Sequence, residues 1–254
     1  MPKIVVFSGP AGAGKSSLTA AYGRWLREVQ HIEASLVNID PAAEFVPYEP
    51  SYDIRLFVNT RDLMTKLGLG PNGALMKALE IMSKDMERYV KTIAGLPGDY
   101  VLIDTPGQMD IFLLSGFGAD FITTLREFSS ERVLVFFVLD ATTMHRLEDY
   151  AFAVILAASM RGKLGAEVVP VVNKIDLAPR IMFTGDLRRD SRILSRHLGE
   201  SKTLYGELLA ELLSVLSRFV KSARVPLVSA KTGAGVEDLH RVAHEFLCAC
   251  GDLT

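Results

Sequence analysis

The sequence predicts an α/β protein with three layers, in which a mostly parallel sheet carries helices on both faces. Apolar runs of strand length recur along the chain, and apolar residues in the stretches between them follow helical spacing. With 254 residues, 49% of them hydrophobic, the chain is long enough to bury one large core. We expect strands at Ile4–Ser8, Ala34–Ile39, Val101–Asp104, Val133–Leu139, Glu167–Val172 and Val225–Ser229.

The first predicted strand leads into the turn Gly9-Pro-Ala-Gly-Ala-Gly-Lys-Ser16, which precedes a predicted helix. The pattern G-x-x-x-x-G-K-S between a strand and a helix is typical of a P-loop. Its glycines let backbone N–H groups face phosphate oxygens, and the helix N-terminus adds partial positive charge. Lys15 would reach the β- and γ-phosphates, and the Ser16 hydroxyl would bind Mg²⁺. The motif therefore predicts a three-layer P-loop NTPase fold. The expected phosphate-binding residues are Gly12, Ala13, Gly14, Lys15, Ser16 and Ser17.

A second motif, Asp104-Thr-Pro-Gly-Gln108, follows another predicted strand. A carboxylate at the end of a buried strand opposite the P-loop is placed to hold Mg²⁺, directly or through water. We therefore expect Ser16 and Asp104 at the metal. Gly107 would offer its N–H to the γ-phosphate, and Gln108 would lie one residue from the attacking water. The alternative is an ordinary β-turn, for which Thr-Pro-Gly is well suited.

Two later motifs indicate the base. Asn173-Lys-Ile-Asp176 follows an apolar run, and the carboxylate of Asp176 can accept hydrogen bonds from the N1–H and exocyclic amine of guanine. Adenine does not present that donor pair. Asn173 can bond the base at N7, and the aliphatic stem of Lys174 can lie across the ring. A Ser-Ala-Lys motif further on would present the N–H of Ala230 to the guanine carbonyl. Each motif alone could be a polar turn, but in this order behind a P-loop they predict binding of GTP and GDP.

Composition limits the other classes of partner. The formal net charge of −2 and the pI near 6.2 argue against general nucleic-acid binding. Four clustered arginines fit a solvated helix face. The longest apolar runs are far short of a membrane span, and the N-terminus enters the first strand without a signal peptide. We therefore expect a cytoplasmic protein that binds neither membranes nor nucleic acid. The clustered arginines are Arg188, Arg189, Arg192 and Arg196.

The last predicted helix raises the alternative of a metal stripe. His240, His244 and Cys248 are spaced four residues apart, and Cys250 follows two residues later. The apolar face of the helix leaves His244 and Cys248 toward solvent, so we expect packing rather than metal binding. The predicted core positions are Val236, Leu239, Ala243, Phe246, Leu247 and Cys250.

Two stretches exceed what a nucleotide-binding core needs, at about residues 61–98 and about residues 180–223. Because no linker interrupts the chain, we expect residues 1–254 to form a single domain with two helical insertions. The first insertion contains Gly70-Pro71-Asn72-Gly73, a turn in which Asn72 is a good N-cap for a helix beginning at Gly73. The apolar positions of that helix are Leu75, Leu79, Met82, Met86, Val90 and Ile93. Those of the second insertion are Leu204, Leu208, Leu212, Val215, Leu216 and Phe219.

Together these motifs resemble the GPN-loop GTPases over nearly the whole chain. The resemblance implies a P-loop enzyme that hydrolyses GTP to GDP and phosphate with Mg²⁺, as a homodimer or pseudo-dimer whose assembly depends on nucleotide. Eukaryotic members are linked to RNA polymerase assembly and nuclear import. This chain lacks the long C-terminal tail of many of them and resembles the compact archaeal members. The matching segments are Gly9–Ser16, Asn38–Glu44, Gly70–Asn72, Asp104–Gln108, Asn173–Asp176 and Ser229–Lys231.

The resemblance also implies roles for single residues. The Gly70–Asn72 loop of one subunit would reach the phosphates or the product in the other, with the Asn72 amide acting in trans. Asp40 matches a family position that orients or deprotonates the water or holds the metal shell. Its alternative is a turn carboxylate before Pro41. Gln108 and Asp110 would help to place the nucleophile.

Some roles stay open at this point. Arg55 and Arg61 are candidate arginine fingers without a motif to support either one. The segment Ile111–Phe117 is more apolar than a solvated switch loop requires. It would either bury in the core or open as a nucleotide-gated groove for a client peptide.

The expected function is a GTP-hydrolysing dimeric switch and, by resemblance, an assembly factor for a complex such as RNA polymerase. Two other classes stay open. One is an assembly chaperone or binding module with negligible hydrolysis, and the other is a P-loop ATPase or nucleotide kinase. Competition by ATP would favour the last, whereas Asp176 predicts that ATP is rejected.

Overall fold

The computed structural model describes residues 2–129, 133–178, 183–201, 204–219 and 224–248. Within these ranges six strands form one sheet in the order β3-β2-β4-β1-β5-β6, and every neighbouring pair is parallel. The strands are β1 Lys3–Ser8, β2 Ala34–Asn38, β3 Tyr52–Asp53, β4 Tyr100–Asp104, β5 Val133–Asp140 and β6 Glu167–Asn173. The helices are α1 Lys15–Val29, α2 Thr60–Leu67, α3 Pro71–Lys84, α4 Met86–Ala94, α5 Met109–Leu114, α6 Phe117–Phe128, α7 Leu147–Leu164, α8 Leu187–Ser201, α9 Leu204–Phe219 and α10 Val236–Leu247.

Helices cover both faces of the sheet, which confirms the three-layer α/β prediction. Alternate residues of a strand point to opposite faces. In β1, Val5 and Phe7 therefore pack in one core with α1 and α10, while Ile4 and Val6 pack in a second core with α3, α4, α6 and α7. The buried strands hold the sheet rigid beneath the loops at its carboxyl edge.

The sixth predicted strand, Val225–Ser229, is wrong as a regular strand. Among the described residues it contributes a single parallel bridge, in which Leu227 pairs with Val172. Pro226 has no N–H to donate to a ladder, and the chain already turns at Ser229, whose carbonyl accepts from the N–H of Gly233. The two-residue strand β3 was not predicted, because it is too short to show periodicity.

The helix expected after the Gly-Pro-Asn turn is two helices, α3 and α4, that meet at Asp85. Aspartate favours helix ends because its carboxylate competes for local backbone groups, and Asp85 leaves the helical conformation at φ −114° and ψ 21°. The predicted N-cap is also wrong: α3 begins at Pro71, and Gly70 is its N-cap. Proline suits the first helical position because its missing N–H would be unpaired there anyway. All six predicted apolar positions of α3 and α4 are buried.

In the second insertion, α8 and α9 confirm the predicted helical structure, but the face of α9 that was predicted to be buried is wrong. The buried apolar side chains in the described part of α9 are Leu209, Ala210 and Leu213, and α9 packs against α7 and α8. The predicted positions that the structure describes are exposed, while the side chains of Leu216 and Phe219 lie outside the described residues. The four clustered arginines lie exposed on α8. The exposed apolar residues of α9 are Leu204, Leu208, Leu212 and Val215.

The last helix, α10, buries five of its six predicted core positions, and Cys250 lies outside the described residues. The Nδ1 atom of His240 lies 2.9 Å from the hydroxyl oxygen of Tyr22, and its ring packs beside Trp25. His240 is thus engaged with α1 rather than turned toward Cys248. In the segment Ile111–Phe117, Phe112 and Phe117 are buried in the core. No helix in the described ranges is long and apolar enough to cross a membrane.

Candidate nucleotide-binding site

The parallel sheet brings the predicted motifs to one edge. Asp104 at the end of β4 lies in register with Phe7 of β1 on one side and with Asn38 of β2 on the other. The loops that follow these three strands are therefore neighbours, and Asn173 at the end of β6 joins them one strand beyond β5. Ligands of open α/β sheets bind outside the carboxyl ends of the strands, so this edge is the candidate site.

The P-loop closes around the ammonium group of Lys15, which donates to the carbonyl oxygen of Pro10 at 3.2 Å. Gly9 adopts φ 144°, and a side chain there would collide with the carbonyl oxygen of Val138. Gly14 adopts φ 86° as the N-cap of α1. Ala13 is buried, while Gly12 and Ser17 are exposed. The loop backbone thus adopts a conformation that glycine favours, and the Lys15 ammonium is hydrogen-bonded to the loop itself.

Asp104 is the most buried acidic group of the site, with 1% of its surface exposed. Its Oδ1 atom has no hydrogen-bond partner among the described residues, and its Oδ2 atom accepts from the Tyr48 hydroxyl at 3.3 Å. Burial raises the pKa of Asp104 to about 6, although Ser16 and Lys15 oppose that shift. A buried carboxylate oxygen without a partner is unusual.

This arrangement fits a magnesium site. The unpartnered oxygen of Asp104 and the neighbouring Ser16 hydroxyl are hard oxygen ligands of the kind that Mg²⁺ takes in P-loop enzymes. Among the residues described, no cluster of three or more His, Cys, Asp or Glu side chains forms an all-protein metal site. The remaining ligands would therefore be phosphate oxygens and water, as is usual for Mg²⁺.

Replacement of Asp104 with Asn is expected to stabilise the nucleotide-free protein at neutral pH. The folded-state pKa of about 6 lies above that of an unfolded aspartate. The ionised group therefore costs roughly 3 kcal/mol above pH 6, and the cost fades as pH falls through 6 toward about 4. Urea unfolding should give the variant the larger free energy of unfolding at pH 7.5 and a much smaller advantage at pH 4.5. An advantage of equal size at both pH values would show that ionisation of Asp104 is not the cause.

Asp40 is a second carboxylate that interacts with the charge of Lys15, as Asp104 does. Its Oδ1 atom accepts from the N–H of Ala42 at 2.8 Å, and its own N–H donates to Asn38 Oδ1 at 3.0 Å. Burial raises the pKa of Asp40, opposed by the N–H groups of Ala42 and Gly107 and by the charge of Lys15. The Gly107 N–H, expected at the γ-phosphate, thus points toward this carboxylate in the nucleotide-free chain.

Arg55 anchors the loop that carries Asp40. Its guanidinium donates to both oxygens of Asp53, at 3.0 and 2.6 Å, and to the carbonyl oxygen of Ala43 at 2.9 Å. Asn38 donates to the same Asp53 carboxylate at 2.9 Å. Arg55 is therefore committed within its own chain, while Arg61 is exposed at the start of α2.

The Gly70–Asn72 loop is exposed at the first turn of α3. Pro71 and the half-buried Gln108 line an open groove of about 830 Å³ that also borders the Asp40 loop. At and near its rim Leu56 is 82% exposed and Phe45 is 78% exposed, unusually high for apolar side chains. The side chain of Asp110, which was expected near the water, lies outside the described residues.

The base loop is held to both the P-loop and the Ser-Ala-Lys loop. Asn173 is buried, and its Nδ2 atom donates to the carbonyl oxygen of Ala13 at 3.0 Å. Its Oδ1 atom accepts from the N–H of Ala230 at 3.0 Å. Asp176 is exposed, and its Oδ1 atom accepts from the Ser229 hydroxyl at 2.6 Å. Asn173 thus links the P-loop to the Ser-Ala-Lys loop, and Ser229 contacts the Oδ1 atom of Asp176 rather than its Oδ2 atom.

Several residues of this site had no predicted role. Tyr48 and Asp140 contact predicted site residues that are distant in sequence, Asp53 pairs with the nearby Arg55, and Ser229 of the Ser-Ala-Lys motif holds Asp176. The only local signal was the aspartate at the end of β5, where parallel strands place ligand-binding groups.

A P-loop at the centre of a parallel sheet, with a strand-end carboxylate beside its serine, defines the class of P-loop nucleoside triphosphatases. A family model described as "Conserved hypothetical ATP binding protein" matches residues 7–249. The chain is 35% identical to GPN-loop GTPase PAB0955 of Pyrococcus abyssi, over 99% of this chain and 100% of that protein. The crystal structure of the same archaeal GTPase in its apo form superimposes with a TM-score of 0.83 over 98% of each chain.

A eukaryotic relative, GPN-loop GTPase 1 of Dictyostelium discoideum, is 30% identical over 93% of this chain. This chain spans 59% of that protein's length. The chain belongs to the GPN-loop GTPase family, and the near-complete mutual coverage with the Pyrococcus protein confirms its resemblance to the compact archaeal members.

Proposed function

We propose that this protein is a Mg²⁺-dependent GTPase that works as a homodimeric switch. One observation carries the proposal: a buried P-loop lysine that interacts with two carboxylates shares a sheet edge with a loop suited to guanine. Lys15 interacts with Asp40 and Asp104 at the phosphate end, and Asp176 is held by Ser229 at the base end. The two ends are joined by the contact between Asn173 and Ala13.

Hydrolysis of GTP requires charge neutralisation and a positioned water more than covalent chemistry. Lys15 and the amides of residues 12–16 would neutralise the phosphates, and Mg²⁺ held by Ser16 and Asp104 would add charge at the β- and γ-oxygens. Asp40, whose pKa is raised by burial, is suited to accept a hydrogen bond or a proton from water. Gln108, on the adjoining groove, would orient the same water.

A second subunit would supply Asn72 to this groove. Support comes from the exposure of the whole Gly70–Asn72 loop and from the open groove beside the phosphate end. Exposed Phe45 and Leu56 would lose contact with water if a second copy covered the groove, which favours association. Arg55 is paired to Asp53, so the candidates for a group supplied in trans are the neutral amide of Asn72 and the exposed Arg61, and the family resemblance favours Asn72.

Replacement of Asn72 with Ala is expected to slow GTP hydrolysis roughly 10–100-fold, because one hydrogen bond to the reacting groups is lost. Affinity for GTP should stay nearly unchanged, since the loop acts from the other subunit on the reaction. Phosphate release gives the rate, and titration with fluorescent GTP gives the affinity. Lys77→Ala, on the same helix and paired with Glu80, is the matched control and should hydrolyse at the wild-type rate. A wild-type rate for Asn72→Ala would exclude the trans role.

Light scattering on the apo, GDP-bound and GTP-analogue-bound protein tests the dimer directly. We expect a dimer in at least the GTP-analogue form. A monomer in all three forms would remove the dimeric mechanism while leaving guanine binding intact.

The description of the matching family model as ATP-binding favours one alternative, an ATPase or nucleotide kinase. Competition of ATP against labelled GTP distinguishes this alternative from a GTPase. We expect ATP to compete poorly, because adenine does not present the pair of donors that Asp176 would accept from guanine.

A protein client related to RNA polymerase assembly and a cytoplasmic location remain part of the proposal by family resemblance. Pull-down with a GTP analogue and with GDP would distinguish a switch from an assembly chaperone with negligible hydrolysis. A client that is captured equally in both states, by a protein that releases no phosphate, would favour the chaperone.

A further inference from the structure

Lys174 of the Asn173–Asp176 loop has an unusual backbone conformation, and the end of its side chain is held by an ion pair. Its φ of 65° lies in the left-handed region, which residues other than glycine rarely adopt. Its Nζ atom donates to Asp140 Oδ2 at 2.6 Å. A side-chain carbon added at Gly14 would lie 3.7 Å from Lys174 Cε, so the aliphatic stem runs past the last glycine of the P-loop. The stem therefore crosses the space between the phosphate end and the base end of the site.

Asp140 is itself rigidly placed. It is the last residue of β5 and lies in register with Asn173, the last residue of β6. Its Oδ1 atom accepts from the N–H of Thr142 at 2.8 Å and from the Thr142 hydroxyl at 2.7 Å. Both carboxylate oxygens are thus engaged, one by the following turn and one by Lys174. The hydrogen bonds from Lys174 and Thr142 outweigh burial and hold the pKa of Asp140 below its ordinary value, so the partner of Lys174 is a carboxylate at neutral pH.

The pair is shielded enough to fix the lysine. The side chains of Asp140 and Lys174 are 16% and 29% exposed, whereas the surface pair of Lys66 and Asp62 is 67–74% exposed. A free lysine side chain has large rotamer freedom, which must be lost if its stem is to lie flat against a base. Anchoring the ammonium on Asp140 removes most of that freedom before a nucleotide arrives.

We propose that Asp140 is a positioning residue for the nucleotide, which holds the stem of Lys174 in place to cover the base and ribose. The proposal rests on the guanine-nucleotide function argued above and extends it by a residue outside the recognised motifs. It assigns Asp140 no contact with the ligand, because its effect passes through Lys174.

The test is a double-mutant cycle of Asp140→Asn and Lys174→Met, read as affinity for fluorescent GDP. Asparagine keeps the shape of Asp140 and can still accept from Thr142, but it removes the charged partner of Lys174. We expect Asp140→Asn to weaken GDP binding about tenfold, because the lysine must then be ordered on binding. In the Lys174→Met background, where no ammonium needs an anchor, the same change should alter GDP affinity less than about twofold.

Two further measurements separate positioning from a structural role. Pyrophosphate lacks a base, so its own affinity, obtained by competition with fluorescent GDP, should be equal for the wild-type protein and Asp140→Asn. Thr142→Val removes a hydrogen bond to Asp140 but leaves the ion pair, so GDP affinity should be unchanged. If Asp140→Asn does not fold, as judged by thermal melting, Asp140→Ser replaces it, since its hydroxyl can still accept the Thr142 N–H.

Equal losses from Asp140→Asn in both backgrounds, or an equal loss of pyrophosphate binding, would overturn the proposal. So would wild-type GDP affinity in Asp140→Asn. These results differ from failure of the proposed function, in which the wild-type protein itself would bind neither GDP nor GTP.

Discussion

Replacement of Asp176 with Asn is expected to move the nucleotide preference of this protein from guanine to xanthine. In the proposed site the carboxylate would accept from both the N1–H and the exocyclic amine of guanine, whereas an amide would accept from one and oppose the other with its own N–H. Xanthine carries a carbonyl in place of the amine and can accept from that N–H. Ser229 donates to Asp176 Oδ1 at 2.6 Å, and this contact holds the side chain in one orientation. We expect affinity for GDP to fall at least about 100-fold while affinity for XDP rises, because a guanine donor that meets the amide N–H is left without an acceptor.

Competition of GDP, XDP and ADP against one fluorescent nucleotide measures this change. Asp238→Asn on α10 is the matched control, since Asp238 is exposed and pairs with Arg241 on its own helix. That control should keep the wild-type order of preference. If Asp176→Asn still prefers GDP to XDP, the base is read by another group, and the guanine assignment of this loop is wrong.

The sequence was sufficient for the P-loop, the Asp104 motif and the Asn173–Asp176 motif because each is local and lies at the end of a strand. Glycine spacing defined the P-loop, and a carboxylate after an apolar run defined Asp104 and Asp176. Parallel strands then bring these separate loops to one edge, so a correct fold class placed them together. The register of Asp104 beside Phe7 and Asn38 follows from the same rule.

Contacts between distant side chains could not be predicted in this way. Tyr48 reaches Asp104 across 56 positions, and Lys174 reaches Asp140 across 34. Neither pair has a periodic pattern, because which loop residues meet depends on how the loops fold over the sheet edge. The anchoring of Arg55 on Asp53 is local, yet sequence alone left Arg55 open as an arginine finger. Only the structure shows that the guanidinium of Arg55 is paired with the carboxylate of Asp53.

Helix boundaries and faces show a related limit. Asn72 is a good N-cap by type, but Pro71 at the first helical position moves the start of α3 toward the N-terminus and leaves Asn72 inside the first turn. In α9, apolar residues occur on more than one face, and packing against α7 and α8 selected Leu209 and Leu213. Spacing alone could not choose between those faces.

Replacement of Lys15 with Ala is expected to abolish binding of GTP and GDP at working concentrations. Lys15 is 6% exposed and interacts with the carboxylates of Asp40 and Asp104, whose charges oppose the lowering of its pKa by burial. Without it, the phosphates would meet two carboxylates with no cation from the protein. Charge-assisted hydrogen bonds to two phosphates would also be lost. Together these two effects predict that affinity for GTP and GDP falls roughly 100-fold or more.

Titration calorimetry with GTP and GDP in the presence of Mg²⁺ measures the loss, and thermal melting shows whether the variant is folded. Lys66→Ala is the matched control, because Lys66 is 74% exposed and its pair with Asp62 is long, at 3.9 Å. Lys15→Arg should not restore binding, since the planar guanidinium cannot fit where the ammonium meets the Pro10 carbonyl oxygen at 3.2 Å. A folded Lys15→Ala variant that binds GTP within a few-fold of the wild-type protein would mean that the phosphates lie elsewhere. The roles of Asp40, Asp104 and Ser16 would then fall with it, because all three are argued from their position around this lysine.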